Sequence, residues 1–120
     1  MALVIKNGQT FTDKSLVIHS TGYFRVINFT YQKDSSLMEF YFIGYASKQA
    51  RENNIPPFDV IKFTVTGNDF NTWFSYEALL NNTNLETQAY NYIMQLKDEN
   101  DNLIYGDIFE GDTYIANNAI

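Results

Sequence analysis

A chain of 120 residues with ten Phe, nine Tyr, one Trp, a single His and no Cys is rich in ring surface for packing and contact. It is poor in the side chains of thiol, imidazole and thiolate-metal chemistry, which argues against an enzyme. The net charge of −6 is uneven: residues 1–60 carry six basic and five acidic side chains, residues 61–120 two and nine, so the second half repels nucleic acid.

The same asymmetry suits a head-to-tail protein contact, and it also serves plain solubility. The length fits one domain, residues 1–120, with one hydrophobic core and no staples. Absence of Cys fits a reducing compartment or a particle assembled in one. No apolar run approaches the ~20 residues of a membrane span, and Met1 to Gly8 turns polar too soon for a signal peptide. Asn28-Phe29-Thr30 and Asn81-Asn82-Thr83 match the glycosylation pattern and, without a secretory signal, read as chance.

Residues 15–20 (SLVIHS) read as a short apolar strand, and residues 23–32 (YFRVINFTYQ) as a longer one rich in β-branched and aromatic side chains. Lys33-Asp34-Ser35-Ser36 is a turn cluster before a second aromatic strand, residues 37–46 (LMEFYFIGYA), so 23–46 reads as a hairpin. Residues 47–54 are charged and precede Ile55-Pro56-Pro57, which makes them a surface excursion with room for one helical turn. Residues 58–66 (FDVIKFTVT) alternate, with Asp59, Ile61, Phe63 and Val65 on the face better suited to burial. Gly67-Asn68 closes that strand.

The period then changes. Ser75 precedes YEALL, a short helix with an acid in its first turn. Thr83 and Asn84 precede residues 85–96, where Leu85, Ala89, Tyr92, Ile93 and Leu96 fall at helical spacing and Glu86 follows the caps. Tyr90, Tyr92, Met94 and Leu96 also alternate as a strand would, with 97–102 as a hairpin tip. The helix is preferred because Leu, Glu, Gln, Ala and Met are good helix formers. Residues 103–115 suggest one or two short strands broken at Gly106 and Gly111.

His19 has no second His and no Cys to join it, so its reading is structural. Asp98, Glu99, Asp101, Asp107, Glu110 and Asp112 crowd fifteen residues. A calcium loop counted from Asp98 needs Gly sixth and Glu twelfth, where Leu103 and Phe109 stand, so a solvated loop or a contact with a basic neighbour is expected. Lys48, Arg51 and Glu52 hold too little positive charge for nucleic acid and read as a solvated or docking loop. Phe70, Trp73, Phe74 and Tyr76 are core material that also includes contact anchors. Ring area exceeds what a core of this size requires, so some aromatics are expected at the surface. Neither a Gly-rich phosphate loop nor a nucleophile elbow is present.

Three segments carry a resemblance: residues 45–53 (YASKQAREN), 70–79 (FNTWFSYEAL) and 84–93 (NLETQAYNYI). Over about residues 41–96 the chain resembles small virion structural proteins of tailed bacteriophages. There a β-rich first half carries a YASKxAR segment, followed by a YFSxExL segment and a QAYxY helix. The tail from residue 98 to 120 is longer than the compact acidic end of that pattern. The resemblance implies a tail, head–tail connector, baseplate or capsid-associated component, assembled in the host bacterial cytoplasm, and it favours the helix over 85–96.

The expected fold is α+β: a twisted antiparallel β-sandwich or small open barrel with one or two helices, over about 75–97, packed on it. Val26, Ile27, Phe29, Phe40, Phe42, Ile61, Phe63 and Val65 are the expected sheet core, covered by Leu85, Ala89, Ile93 and Leu96. The expected function is non-enzymatic assembly through repeated contacts with copies of itself, as a homo-oligomer or ring, and with other virion proteins. Lys48, Arg51, Trp73, Tyr76, Asp107 and Glu110 are the candidate contact residues. No cofactor, metal, nucleic acid or membrane partner is expected. The alternatives are a carbohydrate- or small-ligand-binding β module, for which surface Tyr, Trp and fourteen Asn are suited, and a phage protein that inhibits a host protein.

Overall fold

The two longest strands arise where β-branched and aromatic residues run on either side of the KDSS turn. The computed structural model describes residues 1–80 and 84–112. In chain order the elements are β1 (Leu3–Ile5), β2 (Phe11–Thr12), β3 (Ile18–His19), β4 (Tyr23–Gln32), β5 (Leu37–Tyr45), α1 (Lys48–Glu52) and β6 (Asp59–Val65). They are followed by α2 (Gly67–Trp73), α3 (Tyr76–Leu80), α4 (Leu85–Gln95) and β7 (Phe109–Gly111). Five strands form one antiparallel sheet in the order β6-β5-β4-β1-β7, and β2 pairs with β3 in a small second sheet. The architecture is α+β, and the large sheet is open, with β6 and β7 as its edges.

The 23–46 hairpin forms, and its turn spans the KDSS residues. Residues 85–95 are a helix, begun by the Asn84 carboxamide oxygen, which accepts the Thr87 N–H at 2.8 Å. Ser75 caps α3 in the same way through the Ala78 N–H, at 3.2 Å. Ser47 caps α1 through the Ala50 N–H, at 3.0 Å.

Several expectations need correction. The helical layer starts earlier than residue 75: Gly67 turns the chain out of β6 at φ +61, and α2 follows at once. Phe70 and Phe74, one turn apart, then face the sheet. The strand expected over 15–20 shrinks to Ile18–His19, because Leu16 takes a left-handed φ of 66 and the residues before it form a turn. β1 and β2 were not foreseen. Ile27 is not core: its neighbour Val26 points into the helical layer, so Ile27 points to the other face and is only half-buried. Phe29 returns to the core side because a bulge, with Asn28 at φ 59, places an extra residue opposite Phe40. Residues 113–115 of the expected tail strands, and Asn81, Asn82 and Thr83, lie outside the described residues.

One face of the sheet carries the core. Phe24, Val26, Met38, Phe40, Phe42, Val65 and Phe109 are buried there. Tyr92 from α4 stands edge-on to Phe40 at 6.3 Å, and Phe74 lies 6.1 Å from the same ring. Phe11 from β2 packs edge-on to Phe24 at 5.0 Å, so the small sheet closes the end of the core. Gly44 sits under Phe24: a Cβ there would lie 2.5 Å from the ring, so only glycine lets Phe24 cross β5. The Tyr90 hydroxyl accepts the Val26 N–H at 2.9 Å and donates to the Met1 carbonyl at 2.9 Å. It thus satisfies β4 just where β1 has yet to begin.

Candidate interaction surface

Alternate residues of the same strands build the opposite face. Cross-strand register sets Tyr23 against Tyr45, Ile27 against Tyr41, Tyr41 against Lys62 and Ile43 against Val60. The rings of α2 and α4 pack on the other side, and α1 follows β5 at one end. Among the described residues Tyr23 and Ile43 are buried towards the α1 end of this face, Ile27, Tyr41 and Tyr45 are half-buried, and Val60 is 38% exposed. Charge is placed on the same face. The Lys62 ammonium sits 3.0 Å from Glu39, and that hydrogen bond and charge, with a smaller contribution from Tyr41, raise its pKa above the usual lysine value. Arg25 reaches round β4 to Glu86 on α4 at 3.7 Å.

The six candidate contact residues divide between regions. Lys48 and Arg51 lie on α1; Glu110 lies on β7, opposite Val4, on the same side as Tyr23 and Tyr45. Asp107 is exposed in the turn before β7. Trp73 and Tyr76 are at the far end of the sheet. There Lys33, in the hairpin turn, stands 5.1 Å over the Tyr76 ring. Trp73 is half-buried, edge-on to Tyr92 at 6.1 Å, so much of its ring belongs to the helical layer. Tyr76, 58% exposed, is the most accessible aromatic among the described residues; the surplus of rings went mainly into the core.

A shallow cleft of about 630 Å³ opens at the α1 end of the sheet. Its lining is apolar at Val4, Tyr23 and Ala46 and charged at Lys48, Glu52 and Asp112. A second hollow of about 690 Å³ runs beside the edge strand β6, walled by Phe11, Lys14, Asp59 and Tyr105. Burial, and to a lesser degree the Asp59 charge, hold the Tyr105 hydroxyl above its ordinary pKa.

His19 is in a pair that sequence reasoning missed. Its Nε2 lies 2.7 Å from Asp13 Oδ2, and its ring stacks on Phe58 at 3.8 Å. The other carboxylate oxygen of Asp13 accepts the N–H groups of Ser15 at 2.8 Å and Val17 at 3.0 Å. The hydrogen bond from His19, aided by those amides, holds the Asp13 carboxyl below the usual aspartate range against its partial desolvation. The arrangement clamps the β2–β3 hairpin. The hairpin tip beyond the clamp is apolar and bare: Leu16, Val17 and Ile18 are 82%, 52% and 68% exposed. The legible signal was an Asp followed by Lys14-Ser15 before a short apolar run, the residues of an Asx turn.

The acidic run folds on itself. Asp98 accepts the N–H groups of Asn100 and Asn102, and Asp101 pairs with Lys97 at 3.3 Å. Among the described residues no three His, Asp or Glu side chains gather in a group that would hold a metal ion, and no helix is long and apolar enough to cross a membrane. No protein-family model, curated protein or solved structure matches the chain.

Proposed function

We propose that the chain is a non-enzymatic assembly protein that works by repeated contact with copies of itself and with other components of a bacteriophage virion. The observation that carries this reading is the sheet itself. One face is closed by Phe70, Phe74 and Tyr92, while the other presents half-buried Ile27, Tyr41 and Tyr45 with exposed Val60 and Lys62; towards its α1 end Tyr23 and Ile43 are buried. Tyrosine gives contact area with few rotatable bonds and keeps a polar end for water or a partner. The Lys62–Glu39 pair and Arg25 add charges that orient a partner more than they bind it. The virion setting rests on the resemblance of residues 41–96.

Two measurements test the reading. Tyr41→Glu together with Val60→Glu places two charges on the open face at positions that are not core. Sedimentation velocity is expected to show loss of association while the thermal transition stays in place. Charge reversal at Arg51 is expected to weaken assembly in the same assay, with the monomer still folded. Mass spectrometry of purified particles is expected to find the chain at a fixed copy number. Absence from particles, with association unaffected by the face variants, sinks the proposal.

A further inference from the structure

We infer that the β2–β3 hairpin tip is a knob that docks into the α1-end cleft of a second copy, and that the two copies exchange knobs reciprocally. This inference rests on the reading of the chain as a contact protein and names the partner at one site.

The knob is presented rather than left over. Leu16, Val17 and Ile18 are three successive aliphatic residues standing in solvent. An unstructured apolar loop would collapse onto the nearest apolar surface. This one is held out by Asp13, whose N–H donates to the Val17 carbonyl and whose carbonyl accepts the Leu16 N–H, both at 2.9 Å. The Asp13 side chain then takes the Ser15 and Val17 N–H groups and the His19 ring. Leu16 is kept at φ 66, a left-handed conformation unfavourable for leucine, and that cost persists only where the surrounding bonds over-determine it. A rigid tip loses little entropy on docking.

The chain also carries the receptor. The cleft at α1 is lined on its apolar side by Val4, Tyr23 and Ala46 and, at about 630 Å³, has room for aliphatic side chains. Its own knob does not fill it, since those side chains are exposed. Charge agrees: Lys14, next to the knob, is exposed, and the exposed carboxylate of Glu52 lines the cleft. The hollow beside β6 is the poorer receptor, because Lys14 forms part of its wall and reciprocal insertion would bring two Lys14 ammonium groups together.

Position sets the symmetry. Thr21 lines the cleft and is three residues from Ile18 and five from Leu16, so knob and cleft lie within roughly 17 Å along the chain, at one pole of the molecule. A donor and an acceptor at the same pole satisfy each other twice about a two-fold axis, and the contact closes as a pair. This differs from the head-to-tail contact that the charge asymmetry suggested.

The test is self-association of the full chain by analytical ultracentrifugation across a concentration series. Leu16→Gly removes the knob and relieves the left-handed strain, so the monomer keeps or gains stability. Dimerisation is expected to weaken by roughly tenfold or more. Ala46→Trp, which fills the cleft at an exposed position, is expected to do the same. Lys14→Glu is expected to weaken the pair, and adding Glu52→Lys to restore it. A wild-type chain that stays monomeric at every concentration overturns the inference. So does a Leu16→Gly chain that dimerises like wild type; loss of association in the Tyr41→Glu and Val60→Glu chain would then leave the contact reading standing without the knob. Flotation with neutral phosphatidylcholine vesicles that depends on Leu16 assigns the tip to a lipid surface and also overturns it.

Discussion

Phe40 and Tyr41 are neighbours in one strand, yet they serve opposite faces of the sheet, and the contrast runs through the molecule. The covered face holds Phe24, Phe40, Phe42, Phe63 and Phe109, while the other face holds half-buried Tyr41 and Tyr45 and, beside α1, buried Tyr23. A phenyl ring can be buried with no polar atom to satisfy, whereas a phenol is best placed where its hydroxyl reaches water or an acceptor. Two tyrosines on the covered side have acceptors for their hydroxyls. Tyr31 donates to the Phe74 carbonyl at 2.7 Å, and Tyr90 bridges Val26 and Met1. Aromatic content alone therefore says little about exposure: the covered side takes phenylalanines and several tyrosines, while the other face takes tyrosines.

Removing one ring from each face separates their roles most clearly. Phe42→Ala is expected to cost about 3–5 kcal/mol in urea denaturation, since the ring is fully buried among Phe24, Phe63, Tyr105 and Phe109. Tyr41→Ala, one position away, should cost about 1 kcal/mol or less. Equal losses would mean that the tyrosine face is covered after all. Gly44→Ala comes next, at about 1–3 kcal/mol, because its Cβ would meet the Phe24 and Phe58 rings and neither is the free end of a flexible chain.

Tyr90→Phe tests a tyrosine on the covered side. It leaves the Val26 N–H without its acceptor, for about 1–3 kcal/mol, and amide exchange at Val26 should quicken more than at its strand neighbours. Burial raises the hydroxyl pKa of Tyr90, Tyr92 and Tyr105 above 10.0 in the folded chain. The stability linked to those protons is present below pH 10 and is lost as pH rises through the folded values.

The smallest effect is local. The Asp13 carboxyl titrates below 3.8 in the folded chain, so its contribution is complete above that pH and is lost as pH falls through the lower folded value. Acid should first loosen the β2–β3 hairpin, visible as faster exchange at Ser15 and Val17, before the large sheet melts. Simultaneous loss of both would mean the clamp is not separable from the core.

Strong patterns were legible without the structure. The 23–46 hairpin, the alternation of β6 and the capped helix from Leu85 rest on local signals: period, turn residues and a side-chain cap. Short elements were legible in part: β7 lies within the short strands expected over 103–115 and α3 matches YEALL, but β1 and β2 were not expected. β1 spans three residues and β7 three, and each is a strand only because it pairs with a partner many residues away. Ile27 and Val26 look alike as letters, and pleating alone decides which is core. Of the six candidate contact residues, Tyr76, Asp107 and Glu110 are exposed and Lys48, Arg51 and Trp73 half-buried; that Lys48 borders a cleft lined by Val4 and Tyr23 was not legible in the sequence. The knob was missed because an apolar triplet in sequence reads as a buried strand, and only the Asp13 hydrogen bonds turn it outward.

By itself the sequence determined what depends on neighbours along the chain: where strands alternate, where helices begin, and that rings rather than acids and thiols make the core. Tertiary structure alone decided which face of the sheet the helices cover, which tyrosines remain at the surface, and that Asp13 and His19 meet. Those outcomes depend on pairings between distant segments. Strand register, bulges and long-range packing set them jointly, and no local propensity encodes them.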